Sequence, residues 1–375
     1  MITKATDERY ELKGRTLREL EGFAESLGEP AFRGRQLARW IYRRGATTFG
    51  DMTDLPAALR QRLAGHARIS SLLPAAVVTA DGGDTVKYLL ALPDGPTVET
   101  VFMRYADGRR SVCLSTQVGC AMGCTFCATG LAGLTRNLTT GEIIDQVLHV
   151  QRATGERVTN VVFMGMGEPL ANYEATLAAV RLLNAPQAVG IAMRQLTVST
   201  VGLVPRIRAL AEQRLQLTLA VSLHAPTDAL RSALVPVNRR WPISELLAAS
   251  RDYAAATGRR VSFEYVLMEG INDTPALGAQ LGALLASLPD AAPAMYHVNL
   301  IPWNPVYGLQ YRRPSRRRVE AFADEVRRRG IAVTVRLERG IEIDAACGQL
   351  RRTHAASAPD AARVPAIPRS RVSAP

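Results

Sequence analysis

Over the first 70 positions apolar residues recur every three or four places, and this spacing predicts a small helical module. Leu17, Leu20, Phe23, Ala24 and Leu27 share one face, and Gly28 with Pro30 closes that helix. A second helix is predicted over 32–44, with Trp40 and Ile41 on its apolar side. A third, over 56–64, opens at Pro56. From 75 the pattern changes to β-branched runs at 77–79, 85–92 and 97–104. They are separated by D-G-G-D at 81–84 and P-D-G-P at 93–96, which are hairpin signals.

Beyond 110 strand and helix alternate six times. The predicted strands are 110–115, 160–164, 195–199, 216–223, 261–267 and 297–301. Between them, Thr139 and Glu142 form a capping box before the helix over 143–152, and Asn172 is placed to cap the next. Pro205, Pro242 and Pro275 open three more, and Gly258 stops the one behind Pro242. Ser315 caps an arginine-rich helix before a last strand at 331–336. Six βα units in a row predict an α/β fold with a parallel sheet, as a partial (β/α)6 TIM-like barrel. The expected organisation is a helical accessory domain over 1–70, a short β extension over 75–105, a core over 106–350 and a tail over 351–375. That tail is mostly Ala, Pro, Ser and Arg, a composition that resists packing.

Composition narrows the setting. At 375 residues and 47% hydrophobic, the chain can bury a sizeable core. It has no apolar run long enough to span a bilayer, and its N-terminus is polar rather than leader-like. Five cysteines, four of them clustered, do not form a secreted disulfide framework, so a reducing cytoplasm is expected. A formal charge of +12 favours a polyanionic partner. Arg33, Arg35, Arg39, Arg43 and Arg44 crowd one predicted helix, which suits phosphate contacts or simply a solvated surface.

The chemistry concentrates in S-V-C-L-S-T-Q-V-G-C-A-M-G-C-T-F-C, 111–127. Cys120, Cys124 and Cys127 stand in C-x3-C-x2-C spacing, able to wrap one metal centre. Zinc usually wants four protein ligands and iron–sulfur clusters usually four cysteines. Three cysteines alone suggest a 4Fe–4S cluster with one iron open, against a zinc site with a distant fourth ligand or unrelated thiols. Phe126 supplies an apolar wall. In this type of fold, function sits at the C-terminal ends of the strands. The cysteine loop, the glycine-rich turn with Gly167 and Glu168, Ser199, Ser222-Leu223-His224 and Asn304 all fall there. Cys113 and Cys347 remain, as buried thiols or as a reactive pair.

These motifs, in order, carry a resemblance. G-C-A-M-G-C-T-F-C-A-T-G, M-G-M-G-E-P-L, T-V-S-T-V-G-L-V-P, V-S-L-H-A-P, F-E-Y-V-L, N-L-I-P-W-N-P and I-D-A-A-C-G-Q-L resemble the RlmN/Cfr-type radical S-adenosylmethionine (SAM) RNA adenosine methyltransferases, nearer the RlmN branch. The similarity runs over about 15–352. One departure is Ile341, where the family usually has an acidic residue.

The resemblance implies one 4Fe–4S cluster on Cys120, Cys124 and Cys127. It implies two SAM per turnover, held by Gly167, Glu168, Ser199, Ser222, Leu223, His224 and Asn304. Catalysis would fall to Cys347 as methyl carrier, Glu99 as proton acceptor and Cys113 as resolving thiol. The implied substrates are 23S rRNA and tRNA, methylated at adenine C2. An electron donor such as flavodoxin or ferredoxin is implied, with a monomer and no membrane. The nearest alternative is methylation at C8, as in the Cfr branch. A different class is a redox- or iron-sensing RNA-binding protein.

Overall fold

The computed structural model describes residues 9–131, 133–288, 295–306 and 308–336. In the N-terminal module a short parallel pair, β1 (Tyr10–Glu11) and β2 (Ala67–Arg68), ties the two ends together. Between them lie α1 (Leu17–Ser26), α2 (Phe32–Ala38) and α3 (Ala57–His66). The α1 start is a full capping box: Glu19 N–H donates to the Thr16 hydroxyl, and Thr16 N–H donates to the Glu19 carboxylate. The predicted 32–44 helix changes winding after Ala38 into a π-helical turn, Arg39–Arg43, that buries Trp40, Ile41 and Tyr42.

The arginines of that helix are engaged within the protein. Arg35 pairs with Glu21 at 2.7 Å and Arg33 with Glu29 at 3.7 Å. Arg39 pairs with Asp54, Arg43 donates to the Pro186 carbonyl, and Arg44 lies over the Trp40 ring.

The predicted hairpins form as β3 (Leu73–Ala80), β4 (Thr85–Ala91) and β5 (Thr97–Arg104), all antiparallel. β6 (Arg110–Cys113) pairs antiparallel with β5 on one edge and parallel with β9 (Asn160–Phe163) on the other. Between β6 and β9 lie β7 (Gln117–Gly119), α4 (Ala128–Leu131), β8 (Leu134–Asn137) and α5 (Thr140–Thr154). Then come α6 (Tyr173–Asn184), β10 (Leu196–Thr200), α7 (Val204–Glu212), β11 (Thr218–Ser222) and α8 (Asp228–Leu234). The chain continues with α9 (Ile243–Thr257), β12 (Val261–Leu267), α10 (Pro275–Ala286), β13 (Tyr296–Pro302), α11 (Arg316–Arg327) and β14 (Ala332–Val335).

The main sheet runs β14-β13-β12-β11-β10-β9-β6-β5-β4-β3, ten strands in one row. From β6 to β14 every pairing is parallel, giving the expected partial barrel, and the hairpins extend it from β5 outward. Helices start and stop where their signals stand. Thr139 and Glu142 cap α5, and Gly258 ends α9 at φ 64°. Asn172 is the exception. It precedes α6, but its amide donates to the Thr116 and Leu138 carbonyls instead of capping the helix.

A buried ion pair joins module to barrel. Lys13 Nζ lies 2.7 Å from Asp145 Oδ1, each side chain 1% exposed. Asp145 also accepts the Leu72 N–H at 2.6 Å and faces Arg152 at 3.3 Å. One apolar cluster runs through both parts.

Candidate active site

The cysteine loop is the tip of a two-stranded ribbon, β7 against β8, that sequence patterning did not signal. Gly119 (φ 79°) lies so close to the Gly133 carbonyl that a side chain there finds no space, and this lets the ribbon close beneath the loop. The tip is fastened from the far side of the barrel. Thr125 N–H donates to the Leu234 carbonyl (3.0 Å), and the Tyr311 hydroxyl donates to Thr125 Oγ1 (2.8 Å). Trp303 Nε1 donates to the Phe126 carbonyl (3.4 Å), and the Phe126 ring meets His224 edge-on at 4.7 Å.

A second apolar cluster surrounds this tip: Ala128, Val201, Leu234, Val235, Met268, Trp303 and Val306, with Cys124 and Phe126 packed against it. The apolar wall read from Phe126 is therefore present. Burial pushes the Cys120 thiol up to about 11 and lifts Cys124 well above the thiol range, with the neighbouring thiols adding to both. Among the described residues no group of three His, Cys, Asp or Glu side chains is arranged to hold a single metal ion. A cluster spreads its irons over a cube, so its cysteines need not meet at one point. Three soft thiols on one short loop, Cys120 buried and Cys124 packed against the apolar cluster, fit a cationic iron–sulfur group that binds them as thiolates.

The turn after β9 lies beside the ribbon. Gly167 (φ 103°) stands where a Cβ would come within 2.6 Å of Gln117 Cβ. Glu168 N–H donates to Gln117 Oε1 at 2.8 Å. The Glu168 carboxylate is buried and accepts the Val201 N–H (2.8 Å) and the Leu170 N–H (3.0 Å), tying the ends of β9 and β10. Burial raises its pKa to about 7 against these hydrogen bonds. Ser199 is half-buried, next to the last residue of β10.

Ser222 ends β11, and Leu223 and His224 continue it into a tight corner where His224 takes φ 60°. Leu223 N–H donates to the Glu264 carbonyl at 3.0 Å, and His224 Nδ1 accepts the Val266 N–H at 3.0 Å. That bond places the proton of neutral His224 on Nε2. Burial, with Arg231 nearby, lowers its pKa to about 3. Asn304 lies beyond β13, its side-chain Oδ1 accepting from Arg313 Nη1 at 2.8 Å.

The β5–β6 register aligns the two remaining described candidates. Val101 faces Cys113, so Glu99 and Cys113 share one sheet face, and Ser115 Oγ donates to the Glu99 carbonyl at 2.6 Å. Glu99 is buried, 3.4 Å from the equally buried Lys87. Cys347 and Ile341 lie outside the described residues.

Sequence reading missed Lys87, Gln117 and Arg231. Arg231 is fully buried and donates to the Val201, Ser222 and Leu223 carbonyls and to Asn238 Oδ1. In D-A-L-R-S-A-L it reads as an ordinary helix-surface arginine. Only the corner after β11 reveals it.

Two family models match the chain: the radical SAM superfamily over residues 114–277, and the ribosomal RNA large subunit methyltransferase N-terminal domain over residues 10–69. A protein of Pelotomaculum thermopropionicum named "Probable dual-specificity RNA methyltransferase RlmN" is 52% identical over 345 residues, 92% of each chain. One of the same name from Chloroflexus aurantiacus is 53% identical over 346 residues, covering 90% of this chain and 92% of that one. Among solved structures, a radical SAM methyltransferase from Sphaerobacter thermophilus superposes with a TM-score of 0.85 at 50% identity. The match covers 91% of this chain and 98% of that one.

Proposed function

Because this chain belongs to the RlmN family of radical SAM enzymes, we propose that it methylates C2 of an adenine in 23S rRNA and in certain tRNAs. The observation that carries the reading is the meeting of its parts on one rim. The cysteine ribbon, the Gly167–Glu168 turn, the Ser222–His224 corner and Asn304 all lie at the C-terminal ends of the parallel strands. A redox sensor needs only the cysteines. The other turns suit a SAM-sized ligand.

In this reading Cys120, Cys124 and Cys127 hold the cluster. Gly167 lets the backbone approach SAM, and Glu168 receives its ammonium. Ser199, Ser222, Leu223, His224 and Asn304 line the remainder. The cluster, once bound, supplies the electron that releases a 5′-deoxyadenosyl radical from SAM. Cys347 first accepts a methyl group by displacement. That methyl, having lost a hydrogen atom to the radical, bonds to the adenine carbon, which is not nucleophilic enough to attack SAM directly. Glu99 removes the ring proton, and the adduct's unpaired electron would pass back to the cluster, so that the thioether left on Cys347 is closed-shell. The Cys113 thiolate then attacks the Cys347 sulfur, the bond from that sulfur to the new methylene breaks, and the methylene takes a proton as the methylated base leaves, with a disulfide behind it that reductant reopens. The protein acts as a monomer in a reducing cytoplasm, fed by a donor of the flavodoxin or ferredoxin kind. Among the described residues no helix is long and apolar enough to cross a membrane.

Anaerobic reconstitution with 23S rRNA fragments tests the assignment. Mass spectrometry should place the methyl at C2, and a methyl at C8 overturns the position. Cys113→Ala should accumulate RNA attached through Cys347, released by neither reductant nor denaturant and absent from Cys347→Ala. Normal turnover by Cys113→Ala would overturn its role.

A further inference from the structure

Arg231 is the largest fully buried side chain of the described residues. A guanidinium taken out of water costs several kcal/mol unless an anion and good hydrogen bonds compensate. The hydrogen bonds are present: Nε and Nη2 donate to the Leu223, Ser222 and Val201 carbonyls at 3.1, 3.0 and 2.7 Å, and Nη1 to Asn238 Oδ1 at 2.8 Å. All four acceptors are neutral. Asp228, the nearest carboxylate on its own helix, is exposed, and its Oδ1 accepts from Asn238 and from the Ile243 N–H.

The helix carrying Arg231 packs on the cysteine loop. Leu230 and Leu234 share the apolar cluster of Cys124 and Phe126, and the Leu234 carbonyl takes the Thr125 N–H. Val201, whose carbonyl takes the shortest of the guanidinium's bonds, belongs to that same apolar cluster. The guanidinium thus borders the pocket that the cysteine loop occupies, and Cys124 and Asp228 are the groups that favour its charged form.

We infer that Arg231 is the fixed counter-charge of the thiolate-bound cluster, a positioning residue that sets how readily the cluster accepts an electron while it buckles the ends of β10 and β11. The arrangement has a physical logic. Adding an electron to a centre in a low-dielectric pocket is opposed by every negative charge nearby, and one fixed cation in the same pocket offsets this without reorganising. Its four bonds hold it there whether the cluster is oxidised or reduced. The inference rests on the proposed cluster but not on the RNA product, so a methyl found at another carbon leaves it standing.

The test is the midpoint potential of the reconstituted cluster, followed by electron paramagnetic resonance without RNA, in wild type, Arg231→Lys and Arg231→Gln. Arg231→Gln should move it negative enough to lower the reduced-to-oxidised ratio about tenfold at a fixed poise, which is about 59 mV for one electron. Arg231→Lys, which keeps the charge but loses the planar fork, should stay near wild type. An unchanged potential in a folded, iron-loaded Arg231→Gln overturns the inference. Should Arg231→Gln fail to fold, the potential of Arg231→Lys is followed against pH: it should fall by about 59 mV as the buried ammonium loses its proton at high pH, where the wild-type guanidinium stays charged. A potential as flat with pH as that of wild type overturns the inference.

Discussion

In the N-terminal module Arg35 meets Glu21, Arg39 meets Asp54 and Arg62 meets Glu29, whereas at the barrel mouth Arg231 is buried against neutral oxygens. Glu168, likewise buried, is met only by N–H and hydroxyl donors. The module closes its charges within itself on a half-exposed surface, where each pair is worth about 0–1 kcal/mol. The mouth keeps charged and ionisable groups in a dry pocket, where each costs several kcal/mol unless something else balances it. Pairing marks a part that is complete as folded. Buried groups lacking counter-ions mark a part that is completed by what it binds.

The largest expected effect falls on the mouth. Replacing Cys120, Cys124 and Cys127 together by Ala should abolish iron binding and SAM cleavage, read by iron analysis and by 5′-deoxyadenosine release. The chain should still fold, because the loop tip is held by Leu234, Trp303 and Tyr311. Iron retained at the wild-type level would show that the cysteines are not the ligands.

Next is the buried pair that joins module to barrel. Lys13→Met leaves Asp145 buried beside Arg152 alone and should cost about 3–5 kcal/mol in urea unfolding, nearer the lower figure because Arg152 remains 3.3 Å away. Double replacement by apolar residues should recover most of the loss. A cost below about 1 kcal/mol would place this junction with the surface pairs.

Glu168 gives a pH test. Its carboxyl pKa is raised from the ordinary 4.5 to about 7, so the folded chain binds that proton more tightly than the unfolded chain. The stabilising contribution is whole below 4.5 and lost as pH rises through about 7, roughly 3 kcal/mol in all. The cluster-free chain should therefore weaken between those limits, and Glu168→Gln should flatten the slope. An unchanged slope in that variant would locate the titration elsewhere.

Much of this was legible in sequence, for identifiable reasons. Strand ends and helix starts carry local chemistry: a capping box at Thr139, a C-cap at Gly258, prolines at helix openings. The rim rule then gathered residues from 120 to 304 onto one face. What stayed hidden depends on neighbours distant in sequence. Lys87 shares a face with Glu99 only through the hairpin register, and Gln117 reaches Glu168 only because the ribbon folds back. Asn172 has the identity of a cap, yet two carbonyls across the barrel win its amide. The winding change at Arg39–Arg43 leaves no mark in periodicity because its residues remain apolar on the buried side.

The smallest and most specific effect separates the two arginine populations. Arg239 and Arg240 follow Pro236, whose ring approaches Gly123 of the cysteine loop, and Arg316 and Arg317 follow the segment whose Tyr311 bonds Thr125. All four are exposed, and none has an acidic partner among the described residues. Arg33, Arg35 and Arg39 are already paired, so recruiting them to phosphate means separating them from a carboxylate first. Reversing Arg239, Arg240, Arg316 and Arg317 should lower the log–log salt slope of RNA binding by about 0.7 for each phosphate no longer neutralised on a single strand. Reversing Arg33, Arg35 and Arg39 should leave that slope unchanged and instead cost up to about 1 kcal/mol each in stability, through repulsion from their former partners. The reverse result, a lower slope from the module and none from the mouth, would mean that RNA competes successfully for paired arginines, and that pairing in the folded chain does not tell which arginines meet substrate.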